Sequence, residues 1–241
     1  MTGSAPVIRI DQVGSTMDAL HQLAGQGAPA GTAVVAAEQR AGRGSRGRAW
    51  SSGPGGLWLS VLARPPLPEG LELVGLRAGL ALAELLARLG AGSRIRLKWP
   101  NDLMLDDRKV GGILCETRWH GPALAWLVIG CGLNVTNRPP EPLAEVATNL
   151  HSVLPGVTVE ALLEPVVNVL RGIDATGGVL TDGELARFQA CDWLRGRALA
   201  GPAPGLAAGI GPDGSLLVDG PDGRVAVRSG TVTLARSAAT A

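Results

Sequence analysis

Hydrophobic residues along much of the chain follow distinct spacings. In residues 71–89 they recur every three or four positions, which is typical of a helix with one buried face. Residues 57–63 are apolar at nearly every position, whereas Ile95, Leu97 and Trp99 alternate with basic side chains. The first pattern predicts an amphipathic helix, the second a strand buried on both faces, and the third a half-buried strand.

Other segments extend this alternation of helices and strands. Ser15 and Asp18 have capping-box spacing at the start of a short helix that ends near residues 25–27. Arg77 falls on the predicted solvent-facing side of the 71–89 helix. Further strands are expected at 31–38, 103–105, 110–119 and 124–135, and further helices at 160–173 and 183–193. The fold class predicted for this part is therefore α/β, with a mixed sheet flanked by helices.

Beyond Arg195 the pattern changes to short apolar pairs separated by glycine, proline and aspartate. Such spacing predicts a small barrel of short antiparallel strands. We therefore expect two domains, a catalytic domain at residues 1–194 and a C-terminal barrel at residues 195–241. The barrel strands are expected at 206–210, 216–218, 225–227 and 232–234.

Composition narrows the possible classes of protein. The chain has 241 residues, of which 46% are hydrophobic, and a formal net charge of +1. It therefore has no overall field that would attract nucleic acid or an anionic membrane. Its three cysteines lack metal-ligand spacing, and its longest apolar run is shorter than the roughly 20 residues that cross a bilayer. These features predict a cytoplasmic protein with reduced thiols.

A glycine- and arginine-rich loop at residues 39–50 joins two predicted strands. Glycine lets backbone approach a ligand closely, and arginine offers planar donors for carboxylate and phosphate. The loop is expected to be mobile when empty, because its like charges repel one another. A solvated basic loop and a segment binding single-stranded nucleic acid are alternatives for this composition.

A second motif runs Lys98-Trp99-Pro100-Asn101-Asp102 and is followed by Lys109. Proline removes a backbone donor and interrupts the strand, so that Asn101 and Asp102 can turn toward a ligand or a magnesium ion. A lysine opening the next strand can stabilise negative charge developing on phosphate oxygens. The alternative is an ordinary hairpin with Lys109 in solvent.

Taken together, these segments resemble the biotin–protein ligase family. The motifs that carry the resemblance are Ser15-Thr16 and the segments 39–50, 98–116, 130–135 and 147–150. The resemblance implies a catalytic domain like that of the class II synthetases, followed by a small SH3-like β-barrel. Few residues precede Ser15, so we expect the monofunctional type, without a DNA-binding domain and without a nucleic-acid partner.

The resemblance also implies a two-step reaction with biotin, ATP and Mg²⁺. Biotin and ATP would first form biotinyl-5′-AMP. A lysine of the biotin carboxyl carrier protein or domain of an acetyl-CoA or acyl-CoA carboxylase would then accept the biotin. No membrane partner is expected, and an exposed strand edge is compatible with a homodimer.

Site residues follow from the motif positions. The family implies catalytic roles for Lys109, Arg43 and Asp102, with Lys109 bridging the biotin carboxylate and the α-phosphate, and a magnesium site at Asn101 and Asp102. Biotin would be bound by Ser15, Thr16, Gln39, Gly42, Arg43, Gly44, Lys109, Gly112 and Gly132. ATP and the adenylate would be bound by Arg46, Arg48, Trp50, Asn101, Lys109 and Asn134.

Three positions depart from the family pattern. Ser45 stands where an arginine is usual, so we expect looser retention of the adenylate. Met17 replaces a usual asparagine, and Thr231 a usual glutamate. The remaining rivals are a lipoate–protein ligase or octanoyltransferase, a small RNA-binding protein, and a biotin-binding regulator that has lost catalysis.

Overall fold

The structure is a computed structural model that describes residues 5–235. In this part of the chain a seven-stranded sheet has the order β1-β2-β3-β7-β6-β5-β4. Its strands are β1 (Val7–Val13), β2 (Ala33–Gln39), β3 (Gly56–Ala63), β4 (Ile95–Lys98), β5 (Asp102–Leu105), β6 (Arg108–His120) and β7 (Ala123–Asn134). The helices are α1 (Thr16–Gly25), α2 (Val74–Leu86), α3 (Val159–Arg171) and α4 (Asp182–Cys191).

The sheet is mixed because β1 runs parallel to β2, whereas all its other neighbouring strands are antiparallel. The long β6–β7 hairpin forms the middle of the sheet. This confirms the predicted mixed sheet flanked by helices. β1 was not predicted, since its residues are only partly buried and carry no continuous apolar face.

Helices cover both faces of the sheet. On one face, α1 packs Met17 and Leu20 against Val34, Leu62 and other apolar side chains of the sheet. On the other face, α2 and α3 pack against β3 and β6. Because β3 lies between these two layers, nearly all of its residues are buried, as its continuous apolar pattern predicts.

Arg77 does not face solvent, contrary to the expectation from helical spacing. Its side chain is only 6% exposed and forms an ion pair with Glu184 at 2.8 Å, and it donates to the backbone oxygens of Gly177 and Val179. α4 and the segment before it cover this side of α2, and a sequence pattern for one helix cannot show which neighbour will cover it. A buried guanidinium is tolerated here because its N–H groups are satisfied.

The C-terminal sheet has the order β11-β10-β9-β8-β12 and is antiparallel throughout. Its strands are β8 (Ala198–Gly201), β9 (Gly205–Ile210), β10 (Leu216–Gly220), β11 (Gly223–Val227) and β12 (Thr233–Leu234). Among residues 5–235 no pairing joins β11 to β12, so the closed barrel expected from the sequence is not observed. β12 is only two residues long, which leaves little backbone for closure. Residues 236–241 of the predicted barrel lie outside the described residues.

The two sheets share one hydrophobic core. Leu199 and Leu216 of the C-terminal sheet belong to the same buried cluster as Leu97 of β4. The indole Nε1 of Trp99 donates to the backbone oxygen of Gly214 at 2.9 Å, which adds a polar contact across the same boundary. Within residues 5–235, none of the helices combines the length and the hydropathy needed to cross a membrane.

Candidate functional site

A cavity of about 480 Å³ opens at the end of the seven-stranded sheet where β2 and β4 finish and β6 begins. Its volume is within the range of small-molecule sites. The predicted site residues that line it are Ser15, Thr16, Gln39, Arg43, Gly44, Arg48, Trp50, Asp102, Lys109, Gly112, Gly132 and Asn134. Gly42, Arg46 and Asn101 lie outside the lining. Segments far apart in sequence are therefore brought together.

The inner end of the cavity is polar and buried. The Oε1 of Gln39 accepts from the backbone N and the Oγ1 of Thr16, at 2.8 and 3.1 Å. Thr16 Oγ1 also lies 2.8 Å from the hydroxyl of Ser60, a fully buried residue that the sequence interpretation missed. Gln39 Nε2 donates to Ser52 Oγ at 2.9 Å. This network holds amide and hydroxyl groups in place for a polar ligand.

The start of α1 differs from the predicted capping box. The Ser15 hydroxyl accepts from the backbone N of Met17 at 3.3 Å, so Ser15 is the N-cap residue. Asp18 does not complete a box with Ser15. Its carboxylate binds Arg43 of the glycine–arginine loop instead, and this pairing anchors the loop to α1.

Arg43 is held by two carboxylates. Its Nη1 and Nη2 atoms donate to Asp18 at 2.9 and 2.8 Å, and its Nε and Nη2 atoms donate to Glu116 of β6 at 2.8 and 3.0 Å. The Arg43 guanidinium lowers the pKa of Glu116, because its hydrogen bonds favour the carboxylate. The predicted mobility of the empty loop therefore does not apply to Arg43, whose charge is compensated within the protein.

Glu116 is connected further to a buried histidine. His21 Nε2 lies 3.0 Å from Glu116 Oε2, and the indole Nε1 of Trp126 donates to His21 Nδ1 at 2.9 Å. Since Nδ1 accepts, the ring proton is on Nε2 and the imidazole is neutral. Burial lowers the pKa of His21, which agrees with this tautomer. No local pattern in the sequence indicates this chain of contacts.

The other loop arginines have different surroundings. Arg46 donates to the Oγ1 of Thr231 in the C-terminal region and does not line the cavity. Arg48 lines the cavity and donates to the Ser45 hydroxyl at 3.2 Å. Gly42 is buried, and a Cβ there would overlap the Ser52 hydroxyl, so only glycine fits.

Lys109 faces the cavity and not bulk solvent. Its Nζ lies 2.5 Å from Asp102 Oδ1 and 4.9 Å from the centroid of the Trp50 ring. The backbone around Lys109 is fixed by the segment that follows β7. Lys109 N donates to the oxygen of Val146 at 2.8 Å, and Thr148 N donates to the oxygen of Lys109 at 2.9 Å. The backbone of Lys109 is therefore fixed by hydrogen bonds, and the Asp102 carboxylate orients its ammonium group.

Trp50 packs on the bare backbone of Gly132. A Cβ at Gly132 would lie 2.9 Å from Trp50 Nε1, so a larger residue would displace the indole. In the described part of the chain, that buried N–H has no hydrogen-bond partner. An unsatisfied buried donor is costly, and a ligand acceptor placed here would satisfy it.

Asn101 and Asn134 use their amides within the protein. Asn101 Nδ2 donates to the oxygen of Ile113 at 2.6 Å. Asn134 Nδ2 donates to the oxygen of Thr148, and its Oδ1 accepts from Asn137, both at 2.9 Å. Asn134 thereby holds both ends of the segment that follows β7.

The oxygen ligands near Asp102 are few. Within residues 5–235 no group of three or more His, Cys, Asp or Glu side chains could hold a metal ion. The donors on offer are the Asp102 carboxylate and the Asn101 amide oxygen. Such a set fits Mg²⁺ only where substrate phosphates and water supply the other ligands, which is the usual way that proteins bind this ion.

Several lining residues were not singled out in the sequence. Lys98, at the end of β4, is the first residue of the Lys-Trp-Pro-Asn-Asp motif and was interpreted only as a polar strand position. Trp193 lies beside it. Leu143 and Val146 line the rim and are 45% and 59% exposed. They follow a strand in a segment without periodicity, so the sequence held no signal for them.

Comparisons with known proteins agree with this geometry. The sequence model of the "Biotin/lipoate A/B protein ligase family" matches residues 10–134. The "Bifunctional ligase/repressor BirA" of Bacillus subtilis is 37% identical over 145 residues, which cover 58% of this chain but only 44% of that protein. The chain thus matches less than half the length of that relative.

Two further relatives are covered over most of their length. A "Biotin--[acetyl-CoA-carboxylase] ligase" of Paracoccus denitrificans is 31% identical over 213 residues, or 83% of this chain and 88% of that protein. The structure of the biotin protein ligase from Aquifex aeolicus in complex with biotin and ATP matches with a TM-score of 0.77 and 28% identity, covering 96% of this chain and 99% of the other. The chain therefore belongs to the biotin/lipoate A/B protein ligase family.

Proposed function

We propose that the chain is an ATP-dependent biotin–protein ligase. It joins biotin to a lysine of the biotin carboxyl carrier protein or domain of an acetyl-CoA or acyl-CoA carboxylase. The observation that carries the proposal is one cavity with a buried amide–hydroxyl network at its inner end and the Lys109 ammonium at its mouth. The names of the Paracoccus and Aquifex relatives support biotin as the substrate.

Biotin is assigned to the inner end of the cavity. Its ureido group has one acceptor and two donors, which match the Thr16 hydroxyl and the Gln39 amide held there. Ser15 adds a hydroxyl, and the backbones of Gly112 and Gly132 line the ring. The bare backbone of Gly44 lets the loop cover biotin closely, and Gly42 contributes by letting the loop pack tightly on Ser52.

The first step is attack of the biotin carboxylate on the α-phosphate of ATP. A carboxylate oxygen–phosphorus bond forms, the bond between the α-phosphorus and the bridging oxygen breaks, and pyrophosphate leaves. Two anions must meet, so fixed positive charge in a cavity with little water lowers the barrier. Lys109, directed by Asp102, supplies this charge between the two groups, and Arg48 adds to it at the rim.

The nucleotide base is assigned to Trp50, whose unsatisfied N–H offers a donor. Asn134 acts on the nucleotide through the segment that it orders after β7. Mg²⁺ would be held by Asp102 and Asn101 together with the phosphates and would neutralise part of their charge. Arg46 contacts Thr231 and contributes by fixing the loop.

The second step is attack of the acceptor lysine amine on the acyl carbon of biotinyl-5′-AMP. A carbon–nitrogen bond forms, the acyl carbon–oxygen bond breaks, and AMP leaves with its electron pair. The amine must lose a proton, and Asp102, a carboxylate of the cavity lining beside Lys109, can accept it. The ion pair with Lys109 holds the Asp102 carboxylate in place for this role.

The broader organisation belongs to the same proposal. Residues 1–194 form the catalytic domain, and the C-terminal sheet corresponds to an SH3-like barrel within residues 195–241. A homodimer is supported by β1, which is an outer strand of its sheet. A cytoplasmic location is supported by Cys115, Cys131 and Cys191, which are free thiols among the described residues.

The experiment is biotin-dependent exchange of labelled pyrophosphate into ATP. We expect exchange with biotin and a loss of about 10²–10³-fold in Lys109→Ala, since one preorganised donor is removed from the transition state. Arg108→Ala, an exposed neighbour on the same strand, serves as the matched control and retains exchange.

Substituting lipoate or octanoate for biotin tests the rival within the family. Exchange with either of those acids, and not with biotin, would assign the chain to the lipoate ligases. Equal rates of exchange in Lys109→Ala and in the wild-type protein would show that Lys109 does not take part in adenylation.

A further inference from the structure

Lys98 is a half-buried cation at the rim of the cavity. Its Nζ lies 5.3 Å from the centroid of the Trp193 ring. Among residues 5–235 the Lys98 ammonium makes no hydrogen bond or ion pair with an acidic side chain. Burial lowers the pKa of Lys98, as expected for an ammonium group removed from water without a hydrogen-bonded counter-ion.

The charges around Lys98 are not balanced. The Asp102 carboxylate raises the pKa of Lys98 in part, whereas Lys109, Arg48 and Arg197 all lie near enough to lower it further. The two nearby carboxylates are already paired, Asp102 with Lys109 at 2.5 Å and Asp107 with Arg197 at 2.6 Å. Within residues 5–235 neither Lys98 nor Arg48 forms an ion pair with a carboxylate, and these two uncompensated charges at the rim favour a ligand with more than one negative charge.

Trp193 holds Lys98 in this position. Its indole contacts two cations, with the Arg197 guanidinium 3.9 Å and the Lys98 ammonium 5.3 Å from the ring centroid. The Trp193 Nε1 donates to the backbone oxygen of Asp106 at 3.0 Å and to the Asp107 carboxylate at 3.1 Å. A ring that is buried and bonded in this way restricts where the Lys98 ammonium can lie.

We infer that Lys98 and Arg48 bind the β- and γ-phosphates of ATP, the part of the nucleotide that leaves as pyrophosphate. Trp193 is a positioning residue for Lys98. The inference rests on the proposed adenylation and adds to it a subsite for the leaving group, separate from the contact of Lys109 with the α-phosphate. Binding of both phosphates by fixed cations would stabilise the charge that develops on the leaving oxygen.

The test compares a nucleotide that carries the β- and γ-phosphates with one that lacks both. Binding of α,β-methylene-ATP, which cannot form an adenylate, and of AMP is measured by calorimetry. In Lys98→Met we expect at least about 10-fold weaker binding of α,β-methylene-ATP, the effect of one lost charge-assisted contact, and unchanged binding of AMP. Lys98→Arg should restore much of the loss, and Arg96→Ala, an exposed cation on the same strand, is the matched control.

A second measurement uses purified biotinyl-5′-AMP, which lacks the leaving group. Lys98→Met should transfer its biotin to the carrier domain at the wild-type rate. Equal weakening of AMP and α,β-methylene-ATP, no weakening of either, or a slow transfer from biotinyl-5′-AMP would each overturn the inference. The last outcome, slow transfer, would indicate that Lys98 contacts the acceptor protein. If the wild-type chain bound neither nucleotide, the proposed function itself would be contradicted.

Discussion

Arg43 carries a charge that the protein has already compensated. Four of the five guanidinium N–H groups donate to Asp18 and Glu116, so few remain for an anionic ligand. The side chain therefore acts as an anchor for the loop, while its neighbour Gly44 presents backbone to the cavity. We therefore expect any contribution of Arg43 to ligand binding to act through the position of the loop.

A double-mutant cycle tests this role. Arg43→Ala and Glu116→Ala should each raise the KM for biotin about 5- to 20-fold, because each releases the loop, and should change kcat less. The double variant should be no worse than Arg43→Ala, since that single change already removes the contact with Glu116. The rate of tryptic cleavage within residues 40–48 provides a second readout and should rise in all three variants.

Additive effects in the double variant would contradict the anchor role and would indicate that Arg43 contacts the ligand. Arg40→Ala is the matched control. It removes an exposed loop arginine whose side chain donates to Gln12 and does not line the cavity.

At the residue scale, the sequence motifs predicted which side chains would share one site, whereas the roles of those side chains stay predictions. Thr16, Gln39 and Lys109 were expected in one site and do line one cavity. Glu116 was missed, because its partner Arg43 lies 73 positions away and only the folded sheet brings the two together. Ser60 was missed as well, since one serine in an apolar strand is indistinguishable from a core residue.

α1 and β6 are joined by the contact between His21 and Glu116. The charged groups near His21 are Glu116, Arg43 and Arg118. Because burial holds the pKa of His21 below its usual value, the folded protein binds a proton less readily than the unfolded chain. The contribution to stability is therefore complete above about pH 6.5 and falls as the pH decreases toward the folded-state pKa.

His21→Gln tests this dependence at the level of the helix–strand contact. A glutamine amide can accept from Trp126 and donate to Glu116 but does not titrate. The free energy of unfolding of the wild-type protein should fall between about pH 7.5 and about pH 5.5, by at most about 1.4 kcal/mol per pH unit for one proton. The variant should show a shallower decrease in urea denaturation. Parallel curves would show that His21 does not cause the dependence.

At the scale of elements, periodicity predicted those helices and strands that bury a continuous apolar face. The helix at 71–89 and the hairpin built from β5 and β6 are examples. β8 and β1 were missed, because each is short or partly exposed and buries few side chains. The solvent-facing assignment of Arg77 was wrong for a related reason, since the partner helix α4 is remote in sequence.

The whole molecule has one continuous core, although the sequence changes character near residue 194. Leu199 and Leu216 pack in the same cluster as the helices and strands of the larger sheet. Because the C-terminal sheet packs its buried side chains into this same cluster, both sheets should unfold in one cooperative transition. Calorimetry should give equal calorimetric and van't Hoff enthalpies.

Leu216→Ala tests this cooperativity. Leu216 is fully buried, so the variant should lose about 2–5 kcal/mol of stability and should still unfold in one transition at a lower temperature. Leu206→Ala, the same change at a 52% exposed position of the same sheet, should cost less than about 0.5 kcal/mol. Two separate transitions in either protein would show that the C-terminal sheet folds independently.

The contacts of Lys98 with Trp193 and of Arg46 with Thr231 also determine when the site is completed. A ribosome makes the residues of the polar inner end first and the residues that complete the rim long afterwards. Because the two sheets share one core, the cavity should not take its final shape until the C-terminal strands have been synthesised and have folded. The proposed acyl phosphate intermediate could be retained only from that stage.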